Sequence, residues 1–249
     1  MACLPDMLRP MLTAYVTALQ STLGDDLVGV YLTGSAAAGE FEPAGSDVDL
    51  LVLLQSAAST EHLEPLGDVH RGLAALPYGD RLEIEYAGVS QLRPDGIQGP
   101  SVSISPGTDL RLGPSNAAAD DIHGARTLGI ALFGPSPESV FPDVDRLTLI
   151  VSLESWLLDL SQRDRKQADA GPHDYAEWTL NIARCLFGVE HGRGSSKQQA
   201  AVWLSERAPE LHTTLAKALD IRRGTRETTI GPREFRNFAV QALAVKGHS

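Results

Sequence analysis

The stretch that most restricts the fold is Asp47-Val48-Asp49 running into Leu50-Leu51-Val52-Leu53-Leu54. A short, unbroken apolar run of this kind, bounded by turn residues, reads as an interior strand with both faces covered. Two carboxylates at the mouth of such a strand are costly unless something compensates them. Along a strand, residues i and i+2 leave the same face roughly 6–7 Å apart. Asp47 and Asp49 therefore point at one spot in front of the sheet, where hard oxygen donors can share Mg²⁺. A pair of such ions clamps the attacking and leaving oxygens of a phosphoryl displacement.

The flanking residues suit the same chemistry. Leu27 to Thr33 is a β-rich run that ends at Gly34 and Ser35. Glycine lets the backbone turn sharply and approach a ligand. The next residues open a short helical segment whose free N–H groups favour phosphate. The hydroxyls of Ser35 and Ser46 can both donate to a triphosphate. A third strand is expected over Arg81 to Ala87, with Leu82, Ile84 and Tyr86 on one face and Glu83 and Glu85 on the other. Glu83 can either complete a metal shell or take the proton from an attacking hydroxyl.

Helices are expected over residues 6–23, 60–76 and 117–131, and a Pro- and Gly-rich loop over 91–116 with a short strand near 102–104. GPSPESVFPD reads as a linker, and beyond it strand signals fade. Stretches 144–163, 174–189, 196–207, 209–222 and 232–245 all fit amphipathic helices. An α/β half is thus followed by an all-helical half, with domains expected at 1–140 and 141–249. Charge divides in the same way. Before residue 140 the chain has 6 Arg and no Lys against 18 Asp and Glu, although the whole chain is only at -11. Such an acidic half repels nucleic-acid backbones and attracts small cations. Two cysteines, Cys3 and Cys185, are too few for a disulfide framework and point to a reducing cytoplasm. The start MACLPDMLRP lacks a signal-peptide pattern, and no stretch is apolar enough to span a bilayer. His62, His70, His123, His173, His212 and His248 show no metal-ligand spacing and read as surface or structural residues.

LTGSAAAG, SDVDLLVLL, LEIEY, GIALFGPSPESVF and YAEWTLNIARCLFGVEHGRGSSKQQAAVWLSER together resemble the DNA polymerase β-like nucleotidyltransferases. More narrowly they resemble the aminoglycoside 3''/9-adenylyltransferases, and the likeness runs across most of the chain. It implies an α+β fold: an N-terminal nucleotidyltransferase domain, a mixed sheet with flanking helices, then an all-α helical bundle. It implies transfer of AMP from ATP to a hydroxyl of a small, cationic molecule of the spectinomycin or streptomycin class, with release of pyrophosphate. Asp47, Asp49 and Glu83 would be ligands of two Mg²⁺ ions, and Glu83 the catalytic base. Gly34, Ser35 and Ser46 would contact the nucleotide.

The resemblance also gives Arg184 and Lys197, thirteen residues apart, to the ATP phosphates. Ser195 or Ser196 is a candidate helix cap, with Gln198 or Gln199 three residues on, which places Lys197 in a first helical turn. A cation gains nothing from the dipole there, so reaching an anion is its natural use. A polyanionic substrate would draw its positive charge from this half. Asp174 matches an acidic acceptor-binding position, and Glu177 and Trp178 follow it as further acceptor candidates. No Trp precedes Trp156, whereas streptomycin-modifying relatives stack the drug on one in the region of the Pro/Gly loop. The alternatives are a nucleotidyltransferase with another acceptor (a different small molecule, a protein or tRNA) and a non-catalytic nucleotide-binding module.

Overall fold

The computed structural model describes residues 4–167, 169–224 and 228–246; Cys3 and His248 lie outside them. The chain divides into two compact units, Met1–Phe41 with Ser46–Val144, and Glu42–Gly45 with Asp145–Ser249.

The first unit opens with α1 (Arg9–Leu23), whose Pro10 sits in the first turn, where a missing N–H costs nothing. β1 (Leu27–Leu32), the one-turn α2 (Gly34–Ala37) and β2 (Val48–Leu54) follow, then α3 (Leu63–Leu73) and β3 (Leu82–Gly88). The expected Pro/Gly loop instead folds into short strands: β4 (Leu92–Arg93), β5 (Gly96–Ile97), β6 (Pro100–Ile104) and β7 (Arg111–Pro114). Next come α4 (Ala119–Leu128), β8 (Ile130–Phe133) and α5 (Pro137–Val140). β8 was not expected; those residues read as the end of a helix.

The main sheet has six strands in the order β7-β6-β3-β2-β1-β8. Only β2 and β3 run parallel, and α3 supplies the crossover such a pair requires. On one face Val30, Leu32, Val48, Leu50, Val52, Leu82, Ile84 and Tyr86 form a core with α1 and α3. On the other, Tyr31, Leu51, Leu53 and Ala87 are buried. There Tyr31 meets Phe141 edge to face at 4.9 Å. Because both faces are covered, β2 is apolar at nearly every position. Its polar residue, Asp49, lies at the open end of the strand.

The second unit is helical: α6 (Arg146–Leu160), α7 (Arg163–Lys166), α8 (Pro172–His191), α9 (Lys197–Arg207), α10 (His212–Arg222) and α11 (Pro232–Lys246). α8 is the hub, packing against α6, α9, α10 and α11. Asp145 caps α6 by accepting from the N–H groups of Leu147 and Thr148. Gly192 ends α8 in the left-handed region at φ 65°. Among the described residues no helix is long and apolar enough to cross a membrane.

Candidate active site

Parallel pairing sets the acidic group of the first unit. In the β2–β3 register Asp49 lies opposite Glu83, and Val48 opposite Leu82. Asp49 and Glu83 therefore project from one face on neighbouring strands, with Asp47 just ahead of β2. Asp47 and Glu83 are exposed and Asp49 half-buried. The Thr33 N–H donates to the Asp49 carbonyl at 2.9 Å, which fixes the end of β1 beside the end of β2. Gly34 follows at φ 59°, and a Cβ there would run into Asp49 Oδ2. The absent side chain is the room the carboxylate occupies, so Gly34 and Asp49 are sterically one feature.

Ser35 is half-buried in the first turn of α2, while Ser46 is 2 % exposed and its carbonyl accepts from Arg81 Nη1 at 3.4 Å. The donors gathered here are carboxylate and hydroxyl oxygens, a set that suits a hard cation such as Mg²⁺. Among the described residues no group of three or more His, Cys, Asp or Glu is arranged to hold a metal ion. The strand register brings Asp49 and Glu83 opposite each other.

In the second unit α8 presents Glu177, Asn181 and Arg184 at spacings of four and three, one face of a helix. Glu177 Oε2 pairs with Lys197 Nζ, and its Oε1 with Arg222 Nη1 at 3.2 Å. Arg184 Nε donates to the Ser195 carbonyl at 3.1 Å, tying the loop before α9 to the same face. Ser196 caps α9 by accepting from the Gln199 N–H at 2.9 Å, leaving Lys197 in the first turn as its neighbours suggested. Burial alone would raise the Glu177 carboxyl, but Lys197 and then Arg222 outweigh it and hold the group below the usual range. Lys197 is depressed, first by burial and then by the nearby Arg222 and Arg184, against the pull of Glu177. Arg184, Lys197 and Arg222 thus gather around Glu177, and all three lie close enough to act on the Lys197 or Glu177 charge.

The three acceptor candidates all have partners within their own unit. Trp178 is 4 % exposed and packs against Tyr175 at 5.3 Å and Phe235 at 5.5 Å. It is a core residue of the bundle, placed there by the apolar stripe of α8. Glu177 is committed to Lys197 and Arg222. Asp174 Oδ2 accepts the Gly171 N–H at 2.7 Å, so it caps its own helix. Sequence reasoning missed Arg222, although the signal was legible. Leu215, Ala218 and Arg222 form the buried stripe of α10, and a cation in an apolar stripe needs an anionic partner.

Two family models match the chain: "Nucleotidyltransferase domain" over residues 15–91 and "Aminoglycoside adenylyltransferase, C-terminal domain" over residues 139–244. Among solved structures the chain is similar to the spectinomycin adenyltransferase AAD(9) from Enterococcus faecialis, crystallised with ATP and spectinomycin. The identity is 16% and the TM-score 0.73, covering 96% of this chain and 99% of that one. A toxin–antitoxin structure with AMP-PNP also matches, at 13% identity and a TM-score of 0.31, over 61% of this chain and 92% of that one.

Proposed function

We propose that this aminoglycoside adenylyltransferase-like protein, a nucleotidyltransferase, moves AMP from ATP to a hydroxyl of a small aminated antibiotic and releases pyrophosphate. The observation that carries the reading is the β2–β3 register, which sets Asp49 beside Glu83 next to a Gly34 whose missing side chain makes the room. Glu83 takes the proton of the acceptor hydroxyl. The acceptor oxygen then bonds to the α-phosphorus as the bond to the β-phosphate oxygen breaks, and pyrophosphate leaves with that electron pair. Ser35 and Ser46 hold phosphate oxygens by their hydroxyls. Arg184, Lys197 and Arg222 balance the phosphate charge. Asp47, Asp49 and Glu83 would hold Mg²⁺, which supplies Lewis-acid stabilisation of phosphate charge.

Spectinomycin is the first acceptor to test, because the similarly folded AAD(9) was crystallised with it. The experiment incubates the protein with ATP, Mg²⁺ and a panel of aminoglycosides and aminocyclitols, and weighs each product. A product heavier by one adenylate, with pyrophosphate released in step, is the expected result. Pyrophosphate release with no adenylated compound would move the acceptor to a protein or tRNA. Neither product from any substrate would contradict the proposal.

A further inference from the structure

The turn that joins α3 to β3 holds a strained backbone position. Tyr78 sits at φ 67° and ψ 5°, the only non-glycine residue with a positive φ among the described residues. A bulky side chain is disfavoured in this left-handed region, because its Cβ crowds the following carbonyl. Gly79 comes next, but its missing side chain serves another end: a Cβ there would run into the Leu73 carbonyl oxygen. The turn thus keeps a tyrosine where glycine fits more easily. Such positions cluster at functional sites.

Three contacts hold the Tyr78 side chain. Phe41 meets its ring edge to face at 5.5 Å, its hydroxyl donates to Met7 Sδ at 3.5 Å, and the Arg81 guanidinium lies over the ring, 5.8 Å from the centroid. A guanidinium can stack on an aromatic face and still donate from its edge. From that seat Arg81 Nη1 donates to the Ser46 carbonyl at 3.4 Å. Ser46 is 2 % exposed and immediately precedes Asp47. Val48 pairs with Leu82 and Asp49 with Glu83, so one residue back Asp47 comes level with Arg81. Arg81 is therefore a cation at the mouth of β2 and β3.

We propose that Arg81, seated on Tyr78, is a positioning residue for Asp47. By holding the carbonyl of the residue before Asp47, it fixes the backbone from which that carboxylate leaves, beside Asp49 and Glu83. Its charge acts in the opposite sense, since a cation at the site repels Mg²⁺. Removing the side chain thus weakens metal binding if Arg81 acts by placement, and tightens it if Arg81 acts by charge alone. This inference rests on the reading of the chain as a nucleotidyltransferase whose acids hold Mg²⁺.

The test compares the full-length wild type with Arg81→Met, Arg81→Lys, Tyr78→Phe and Tyr78→Gly. Mn²⁺, which takes the same oxygen ligands as Mg²⁺, is titrated without nucleotide, and the free ion is read by electron paramagnetic resonance. Arg81→Met should weaken Mn²⁺ binding about 10-fold and lower kcat with spectinomycin or streptomycin about 10- to 100-fold, the usual cost of losing a group that orients a metal ligand. Its thermal midpoint should stay within a few degrees of the wild type. Arg81→Lys, which can still donate to the Ser46 carbonyl, should recover part of both losses. Tyr78→Phe keeps the ring and should behave as the wild type. Tyr78→Gly suits the backbone but removes the seat, so it should repeat the losses of Arg81→Met. Tighter Mn²⁺ binding in Arg81→Met, or losses that only follow a fall in midpoint, would overturn the assignment. A wild type that adenylylates neither antibiotic removes the functional reading and this inference with it. Normal wild-type turnover with an unaffected Arg81→Met removes this inference alone.

Discussion

Gly34 and Glu177 each act through the neighbour they accommodate. At Gly34 any side chain collides with Asp49 Oδ2, and the φ of 59° adds backbone strain to a substitution. Gly34→Ala should lower kcat at least about 100-fold, on the scale of losing one positioned catalytic group, while the thermal midpoint falls by only a few degrees. A variant that turns over like the wild type would mean Asp49 does not depend on that clearance. Glu177 is the counter-charge of the buried Lys197 beside Arg222 and Arg184, and it opposes the downward pull of burial and of those arginines on the lysine pKa. Glu177→Gln removes that opposing charge, and KM for ATP should rise about tenfold if the lysine loses its placement. A KM that drops instead would show Glu177 competing with the phosphates.

α1, α3 and β3 are joined by a buried polar chain: Tyr15 Oη lies 2.6 Å from Tyr86 Oη, which lies 2.7 Å from His70 Nε2. Burial lowers the His70 pKa from 6.5 to about 4 and raises both tyrosines well above their usual range. The folded imidazole thus stays neutral at pH values where the unfolded one is charged. Stability from this group is complete above about pH 6.5 and is lost as pH falls towards 4, by up to about 3 kcal/mol. Urea midpoints at pH 7 and pH 4.5 should converge for His70→Gln relative to the wild type; parallel changes in both proteins would contradict this. Elements were legible where one pattern ruled. DVDLLVLL and LEIEY declare strands by an apolar run and by alternation, and the bundle helices by their periodic stripes. Ile130 to Phe133 did not, because four apolar residues after a helix continue its stripe. Only pairing with β1 makes them a strand. β4 to β7 pair as local hairpins, but the strands are too short and too interrupted by Pro and Gly to leave an alternating pattern.

Across the whole molecule the charge is partitioned between two differently built units. The acids Asp47, Asp49 and Glu83 belong to a unit poor in cations, and Arg184, Lys197 and Arg222 to a helical bundle. The shared face of Asp49 and Glu83 was readable because strand geometry converts spacing directly into a face. The fates of Trp178, Glu177 and Arg222 were not, since a helix position specifies a face and tertiary packing decides what that face meets. If Arg184, Lys197 and Arg222 meet the phosphates as proposed, ATP affinity weakens steeply as salt rises. An ATP affinity equal at about 50 mM and 500 mM NaCl would contradict that. The most direct test of the central claim is adenylylation of spectinomycin with ATP and Mg²⁺ by the wild type, Asp49→Asn and Glu83→Gln. The account predicts an adenylated product from the wild type and a fall of about 10²–10⁴-fold in kcat for each variant, with the fold intact. Wild-type turnover by either variant would contradict it.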